Sequence, residues 1–258
     1  MYDTIASHLE LLPALQRAET VYDRGTAQHS ARVGKISALV GEVLGLPSAD
    51  LGVLTWVAVL HDVGKLTVSE RILQKQRGRF SSDEWSELRR HTLAGEALVL
   101  ALGPRLWPMA AAVRSHHERW DGSGYPDGLA GEHIPQLARI VAVADAYDLL
   151  THEQPYRHQS LVHDAAVEVV ASGAGTKFEP RVVEAFVRLD QRGLLAPITH
   201  EMQHRPQAVS ALSAARRVSG TTRRRRSRRR AAVPDGVPVV PLAPFGPPTI
   251  LPPVLPPA

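Results

Sequence analysis

Five histidines and two aspartates are the side chains in this sequence that most strongly indicate chemistry. They are His29, His61, Asp62, His91, His116, His117 and Asp145. Imidazole nitrogens and carboxylate oxygens are suitable donors for first-row divalent metals, and the chain contains no cysteine that could provide a thiolate. The set is large enough for two metal ions. Two metals held close together can activate water to hydrolyse a phosphate ester.

Each of these residues has a plainer interpretation when it is taken alone. A single histidine on an apolar helix face is more often a hydrogen-bonded core residue than a metal ligand. Asp145 on such a face could be paired with Arg139 or Arg157. His61 and Asp62 could do no more than end a helix. The combination of seven donors from five helical segments favours a metal site over these separate explanations.

The elements that must position these side chains are predicted to be helices. Apolar residues recur at steps of three and four through most of residues 29–192, and the alternation typical of strands is absent from the sequence. The predicted helices cover residues 29–46, 51–61, 82–102, 105–117, 137–151, 161–171 and 180–192. Ser82 is expected to cap the third of them. The fold is therefore expected to be all-α, a compact helical bundle.

Two pairs of adjacent donors need particular geometry. Neighbouring helical residues point about 100° apart, so His61 and Asp62 cannot both face one metal squarely. Asp62 has two oxygens, and we expect it to bridge two metals. His116 and His117 fall where a predicted helix ends, and a frayed last turn would allow both rings to converge on one ion.

A basic, proline-rich tail differs in composition from the rest of the chain. The net charge of the 258 residues is +4, but residues 204–258 hold ten arginines and one acid, which leaves residues 1–203 acidic. Ten of the last 25 residues are proline, a density that favours extended chain over a packed core. We expect residues 204–258 to be disordered. Their arginine run at residues 223–230 could contact an anionic partner, or it could be a solvated linker without one.

The rest of the chain divides into two parts. Residues 1–20 have room for one helical segment, and residues 21–203 are long enough for one globular domain. The N-terminus lacks the basic start and apolar run of a secretory signal, and no apolar stretch reaches the roughly 18 residues of a membrane span. We therefore expect a cytoplasmic protein without a transmembrane segment.

Five segments, taken in order, resemble the HD-GYP family of metal-dependent phosphohydrolases. They are HSARV at residues 29–33, LHDVGK at 60–65, RRHTLAGEALV at 89–99, HHERWDGSGYPDGLAGEHIPQLARI at 116–140 and VADAYDLLT at 143–151. The resemblance extends from about residue 21 to residue 189 and leaves out the tail. It implies a compact HD-type bundle of helices. It also implies hydrolysis of the bacterial second messenger cyclic di-GMP to pGpG, with GMP as a further product.

The resemblance implies a role for each of the donors. One metal would be held by His29, His61, Asp62 and Asp145, and the second by Asp62, His91, His116 and His117. Iron or manganese is the implied metal. Lys65 would lie beside a metal-bridging hydroxide and the scissile phosphate, which makes Lys65 and Asp62 the expected catalytic residues. Gly25 stands where some members place a glutamate for a third metal, so we expect two metals.

The glycine-rich GYP loop, residues 118–135, is implied to admit the substrate or to dock a cyclase of the GGDEF type. Gly122, Gly124 and Gly128 are predicted to have positive φ. Tyr125 is predicted to be exposed, and it would suit stacking on a base of the substrate. The alternative is that the glycines only satisfy the backbone geometry of a well-ordered loop.

The segment after the last metal-bearing helix departs from the family pattern. Members usually carry Arg-Pro-Tyr-Arg or Arg-Pro-Tyr-Lys there, whereas Gln154 replaces the first arginine in this chain. Arg157 is then the substrate-phosphate contact expected from this segment. The loss of a guanidinium removes charge and orientation together.

Three functions therefore stay open at the level of sequence. The leading prediction is a cyclic di-GMP phosphodiesterase. The second is an HD-type phosphohydrolase of another nucleotide, such as a 3′,3′ cyclic GMP-AMP, which the Gln154 substitution keeps open. The third is a non-catalytic module that binds the messenger or a cyclase. Turnover of a panel of cyclic dinucleotides would distinguish among them. The sequence makes no prediction of the oligomeric state.

Overall fold

The computed structural model describes residues 12–22, 24–75, 80–152 and 160–201. Within these ranges the secondary structure is helical, without β-strands and with two isolated backbone bridges, Asp121 to Ala130 and Ala174 to Phe178. The predicted all-α fold is confirmed. Three features predicted from the sequence lie outside the described residues: Gln154, Arg157 and the tail from residue 204.

The described part of the chain forms helices connected by turns and, between residues 115 and 136, by the longer GYP loop. In chain order they are α1 (Leu12–Tyr22), α2 (Arg24–Val43), α3 (Ser48–Leu60), α4 (Glu70–Leu73), α5 (Ser82–Arg89), α6 (His91–Ala101), α7 (Trp107–Ser115), α8 (Gln136–Thr151), α9 (His163–Ser172), α10 (Pro180–Gln191) and α11 (Ala196–Glu201). Short 3₁₀ helices lie at Val63–Thr67, Pro104–Leu106 and Gly131–His133.

The core of the bundle surrounds α3, whose sequence is apolar on nearly every side. This helix packs against α2, α7 and α8, and it buries Val53, Leu54, Val57 and Leu60. Helix α2 also packs against α8, while α6 lies against α7 and the 3₁₀ turn that follows α3. These contacts bring the end of α3, the start of α6, the end of α7 and the middle of α8 to one region.

The predicted helix over residues 82–102 is wrong in one respect, because the structure divides it into α5 and α6. The boundary lies at Arg90, which ends α5 and precedes the first residue of α6. Neither proline nor glycine stands at this point, so the sequence shows no break. The cap also differs by one residue. Ser81, rather than Ser82, accepts the N–H of Glu84, and Glu84 accepts the N–H of Ser81 in return, which forms a capping box.

The described residues fall within one compact unit, Met1–Arg205. Helix α1 covers part of the predicted N-terminal segment, whose first eleven residues lie outside the described part. The predicted domain boundary at residue 203 stays a prediction for the same reason. Across the described ranges, no helix combines the length and the apolar character that a membrane span requires.

Candidate metal centre

The structure brings all seven predicted donors into one buried region as two groups. The first group contains His29, His61 and Asp145, and the second contains Asp62, His91, His116 and His117. Within each group the potential ligand atoms all lie within 4.8 Å of one another. Six of the seven residues are buried, and His117 is half-buried. Each group could therefore hold one metal ion.

The carboxylate of Asp62 lies between the two groups. Its Oδ2 is 3.4 Å from Nε2 of His61 and 4.0 Å from Nε2 of His29. Its Oδ1 is 3.5 Å from Nε2 of His91 and 4.0 Å from Nε2 of His116. One oxygen faces each group, and this is the arrangement that a bridging carboxylate needs.

Backbone carbonyls orient three of the imidazole rings in the same way. Nδ1 of His61, His91 and His116 donates in each case to the carbonyl oxygen three residues earlier, at 2.6 Å. A carbonyl oxygen can only accept, so the proton of the neutral ring is on Nδ1 and the lone pair is on Nε2. The Nε2 atoms of His91 and His116 lie 3.3 Å apart. Two lone pairs that face each other at this distance fit a cation between them.

Burial also favours neutral histidines in the second group. It lowers the pKa of His91, lowers that of His116 to about 3 and lowers that of His117 well below its ordinary value. Burial acts to raise the pKa of Asp62, but positive charge nearby, that of Lys65 first, outweighs this effect and holds the pKa well below its usual range. The second group thus combines an ionised carboxylate with neutral nitrogen donors, a set that fits a divalent metal.

In the first group, His29 lies against two carboxylates, which favour its protonated form. Nε2 of His29 lies 3.1 Å from Oδ1 of Asp145, and Nδ1 lies 2.7 Å from Oδ2 of Asp148. Burial acts to lower the pKa of His29, but hydrogen bonds to the two carboxylates outweigh it and raise the pKa to about 10. A metal bound at Nε2 must therefore displace a proton. The sequence left open an ion pair between Asp145 and Arg139. The structure instead pairs Arg139 with Glu179, at 2.7 Å.

Asp148 and Arg32 belong to this site, although sequence reasoning missed both. Asp148 is completely buried, and its two oxygens accept from Nε and Nη2 of Arg32 as well as from His29. Burial acts to raise the pKa of Asp148, but these partners lower it to about 2. The sequence contains part of this signal, because Asp145 and Asp148 stand three residues apart on a mostly apolar helix and therefore share a face.

We expect Asp148→Asn to weaken metal binding at the first group by about 10- to 100-fold, because His29 loses the carboxylate that fixes its ring. Calorimetric titration of the metal-free protein with a divalent metal measures this loss. Asp164→Asn makes the same chemical change at an exposed position of α9 and should bind metal as the wild type does. Equal metal affinity in the two variants would show that Asp148 does not orient His29.

Lys65 lies beside the two donor groups. It belongs to the 3₁₀ turn after α3, and its Nζ donates to Oδ2 of Asp62 at 2.5 Å. The side chain of Lys65 is 30% exposed, whereas that of Asp62 is 4% exposed. The ammonium group thus lies between the buried carboxylate and the solvent, where it can reach a bound anion.

A buried carboxylate at the start of the GYP loop, which sequence reasoning missed, holds the loop together by accepting two backbone N–H groups. Glu118 accepts the N–H of Asp127 at 2.7 Å and the N–H of Leu129 at 3.1 Å. Burial raises the pKa of Glu118. Arg114 adds a second anchor, because its guanidinium contacts both oxygens of Asp127 and one oxygen of Glu96. These contacts connect the loop to α6 and α7.

Two of the three glycine predictions for the loop are confirmed. Gly122 and Gly128 have φ of 78° and 68°. Gly124 is not among the glycines with positive φ. Glycine is needed at this position because the neighbouring backbone leaves no room for a side chain. A Cβ at this position would lie 2.4 Å from the backbone nitrogen of Arg119 and 2.5 Å from Cα of Glu118. Only a residue without a side chain permits this close approach of two backbone segments.

Tyr125 is half-buried, so the predicted exposure of this ring is wrong. Its ring centre lies 4.8 Å from that of His117, and Cζ of Arg89 lies 5.0 Å from it. Its role in substrate binding stays a prediction.

Comparison of the sequence with known families gives one assignment over most of the chain. The profile of the HD domain matches residues 1–182. The cyclic di-GMP phosphodiesterase response regulator RpfG of Xanthomonas campestris is 39% identical over 180 residues, which are 69% of this chain and 47% of that protein. A cyclic di-GMP phosphodiesterase of Thermotoga maritima is 34% identical over 183 residues, covering 70% of this chain and 49% of that protein.

A further relative is named for a different substrate. The 3′3′-cGAMP-specific phosphodiesterase 2 of Vibrio cholerae is 32% identical over 185 residues, covering 71% of this chain and 35% of that protein. The chain thus spans about half the length, or less, of these curated relatives.

Two solved structures share the fold. A cyclic GMP-AMP specific phosphodiesterase of Vibrio cholerae has a TM-score of 0.51 at 22% identity, over 70% of this chain and 49% of that one. Bd1817, an HDGYP protein of Bdellovibrio bacteriovorus, has a TM-score of 0.54 at 17% identity, over 72% of this chain and 64% of that one. At these identities the likeness concerns the arrangement of the helices.

Proposed function

The chain belongs to the HD domain family, in its HD-GYP form, and on that premise we propose that it hydrolyses a phosphodiester bond of cyclic di-GMP. The observation that carries the proposal is the position of the Asp62 carboxylate, with one oxygen facing each of the two donor groups. The names of several relatives support the same substrate class. The proposed first product is linear pGpG, and GMP is the further product.

We propose that the first group, with Asp62, holds one divalent metal and that the second group holds another, with iron or manganese as the metal. Bound metals would supply a water of lowered pKa and neutralise charge on the phosphate. Asp62 stays ionised throughout, because its surroundings hold its pKa low. Lys65 donates a hydrogen bond to a phosphate oxygen and offsets the negative charge that develops there.

A second substrate is favoured by two observations. Relatives at 32% and 36% identity are named 3′3′-cGAMP-specific phosphodiesterases. Gln154 also stands where the resemblance leads one to expect an arginine. We therefore propose 3′3′-cGAMP as the alternative substrate, hydrolysed at the same centre. Docking of a GGDEF-type cyclase on the GYP loop, and contacts of the tail with anionic partners, stay predictions.

Turnover of a substrate panel tests the proposal directly. We expect the full chain, purified without oxygen and analysed for metal, to convert cyclic di-GMP to pGpG and GMP, with slower conversion of 3′3′-cGAMP. Chromatography of the products measures both reactions. Faster conversion of 3′3′-cGAMP would assign the alternative substrate. Binding of either dinucleotide without turnover, in protein that contains two metals per chain, would favour a non-catalytic module.

A further inference from the structure

An arginine that lies over two aromatic rings stands near the two donor groups. Arg89 is the last residue of α5, and it is exposed. Its Cζ lies 5.0 Å from the ring centre of Tyr125 and 5.9 Å from that of Trp85. Contacts of this kind hold a guanidinium plane by its face and leave the N–H groups at its edge available. No carboxylate in the described ranges of the chain forms an ion pair with Arg89.

The position of Arg89 connects it to the reacting centre through Tyr125. The ring centre of Tyr125 lies 4.8 Å from that of His117, a member of the second donor group. Arg89 also stands two residues before His91, another member of the same group. The guanidinium is therefore one ring beyond the metal donors, next to the site and outside it.

The proposed substrate needs a cation at such a position. A cyclic dinucleotide contains two phosphodiesters, each with one negative charge, and only one of them can occupy the metal centre at a time. Lys65 already contacts Asp62 inside that centre, so it serves the phosphate that reacts. The other phosphate must be held elsewhere. A planar guanidinium can donate two parallel hydrogen bonds to its oxygens.

We propose that Arg89 binds the second, non-reacting phosphodiester of the cyclic dinucleotide, with Tyr125 and Trp85 as the platform that orients its guanidinium. This inference rests on the proposed function. It assigns to the last residue of α5 a phosphate contact distinct from the one proposed for Lys65 in the turn after α3.

Two substrates distinguish this role from a general effect on catalysis. Bis(p-nitrophenyl) phosphate has a single phosphodiester, so it reports on the metal centre alone. We expect Arg89→Gln to raise KM for cyclic di-GMP by about 10- to 100-fold and to change kcat/KM for bis(p-nitrophenyl) phosphate by less than about twofold. Arg89→Lys keeps the charge without the planar fork, so its KM for cyclic di-GMP should fall between those of Arg89→Gln and the wild type.

Arg90→Gln is the matched control, because Arg90 is the adjacent exposed arginine and the described residues place no ring against it. It should leave KM for both substrates unchanged. Equal KM values for cyclic di-GMP in Arg89→Gln and Arg90→Gln would overturn the inference. A parallel loss on both substrates in Arg89→Gln would overturn it as well, since Arg89 would then act through the metal centre or the fold.

Failure of the proposed function has a different signature. If the wild type hydrolyses bis(p-nitrophenyl) phosphate but neither cyclic dinucleotide, calorimetric binding of cyclic di-GMP replaces turnover as the measurement. Binding by the wild type that weakens about 10-fold or more in Arg89→Gln, and not in Arg90→Gln, would support the phosphate contact without the activity. Absence of binding in the wild type would overturn both proposals.

Discussion

Asp62→Ala is expected to lower phosphodiester hydrolysis by about a thousandfold or more while the helices stay folded. The carboxylate of Asp62 is the only group in the described ranges whose two oxygens face both donor groups. Removal of this carboxylate takes one negatively charged oxygen ligand away from each donor group. We therefore expect both groups to lose metal. The same change also removes one partner of Lys65, the residue proposed to contact the reacting phosphate.

Elemental analysis and a hydrolysis assay on the same preparation measure this result, and circular dichroism reports the helix content. Asp62→Asn keeps the volume and one acceptor oxygen, so it should retain more metal than the alanine variant. Asp164→Ala, at an exposed position in α9, should behave as the wild type. Wild-type metal content together with wild-type turnover in Asp62→Ala would refute the proposed centre.

Gly64→Ala is expected to have the second large effect, from a single methyl group. A Cβ at Gly64 would lie 1.8 Å from the carbonyl oxygen of His91 and 2.6 Å from the backbone nitrogen of Gly95. Both obstacles are backbone atoms in α6, so no side chain can move aside. The turn after α3 would have to withdraw from α6, which separates Asp62 from His91, now 3.5 Å apart. We expect the free energy of unfolding to fall by about 3 kcal/mol, with loss of activity.

Gly52→Ala is a matched control for this variant. Gly52 lies in α3, and a Cβ at this position would meet no atom within 4 Å. Alanine there should raise the free energy of unfolding by up to about 1 kcal/mol, because alanine favours the helix. Thermal unfolding compares the two variants. A midpoint for Gly64→Ala equal to that of the wild type would contradict the close approach of the turn and α6.

Local pattern was enough to predict most of the helices. The apolar steps through α2, α3, α8 and α10 depend on contacts between residues three and four apart, which sequence spacing displays directly. Local spacing does not predict the break between α5 and α6. Arg90 belongs to a continuous helical pattern and has helical backbone angles, so residue spacing does not indicate where α5 ends and α6 begins.

The types of the donor residues were equally visible in the sequence, whereas their second partners were not. His29 and Asp148 stand 119 positions apart, and nothing in their spacing indicates that they share a hydrogen bond. Glu118 follows the histidine pair directly, yet only the folded loop shows that its carboxylate holds the N–H groups of Asp127 and Leu129.

By itself, the sequence determined an all-α chain with seven nitrogen and oxygen donors at the ends and faces of its helices, because periodicity and residue type are local properties. The tertiary structure decided which donors share a group, that Asp62 lies between the groups, that Gly64 must lack a side chain and that Arg89 stacks on Tyr125. These facts depend on distances between helices, and packing alone sets such distances.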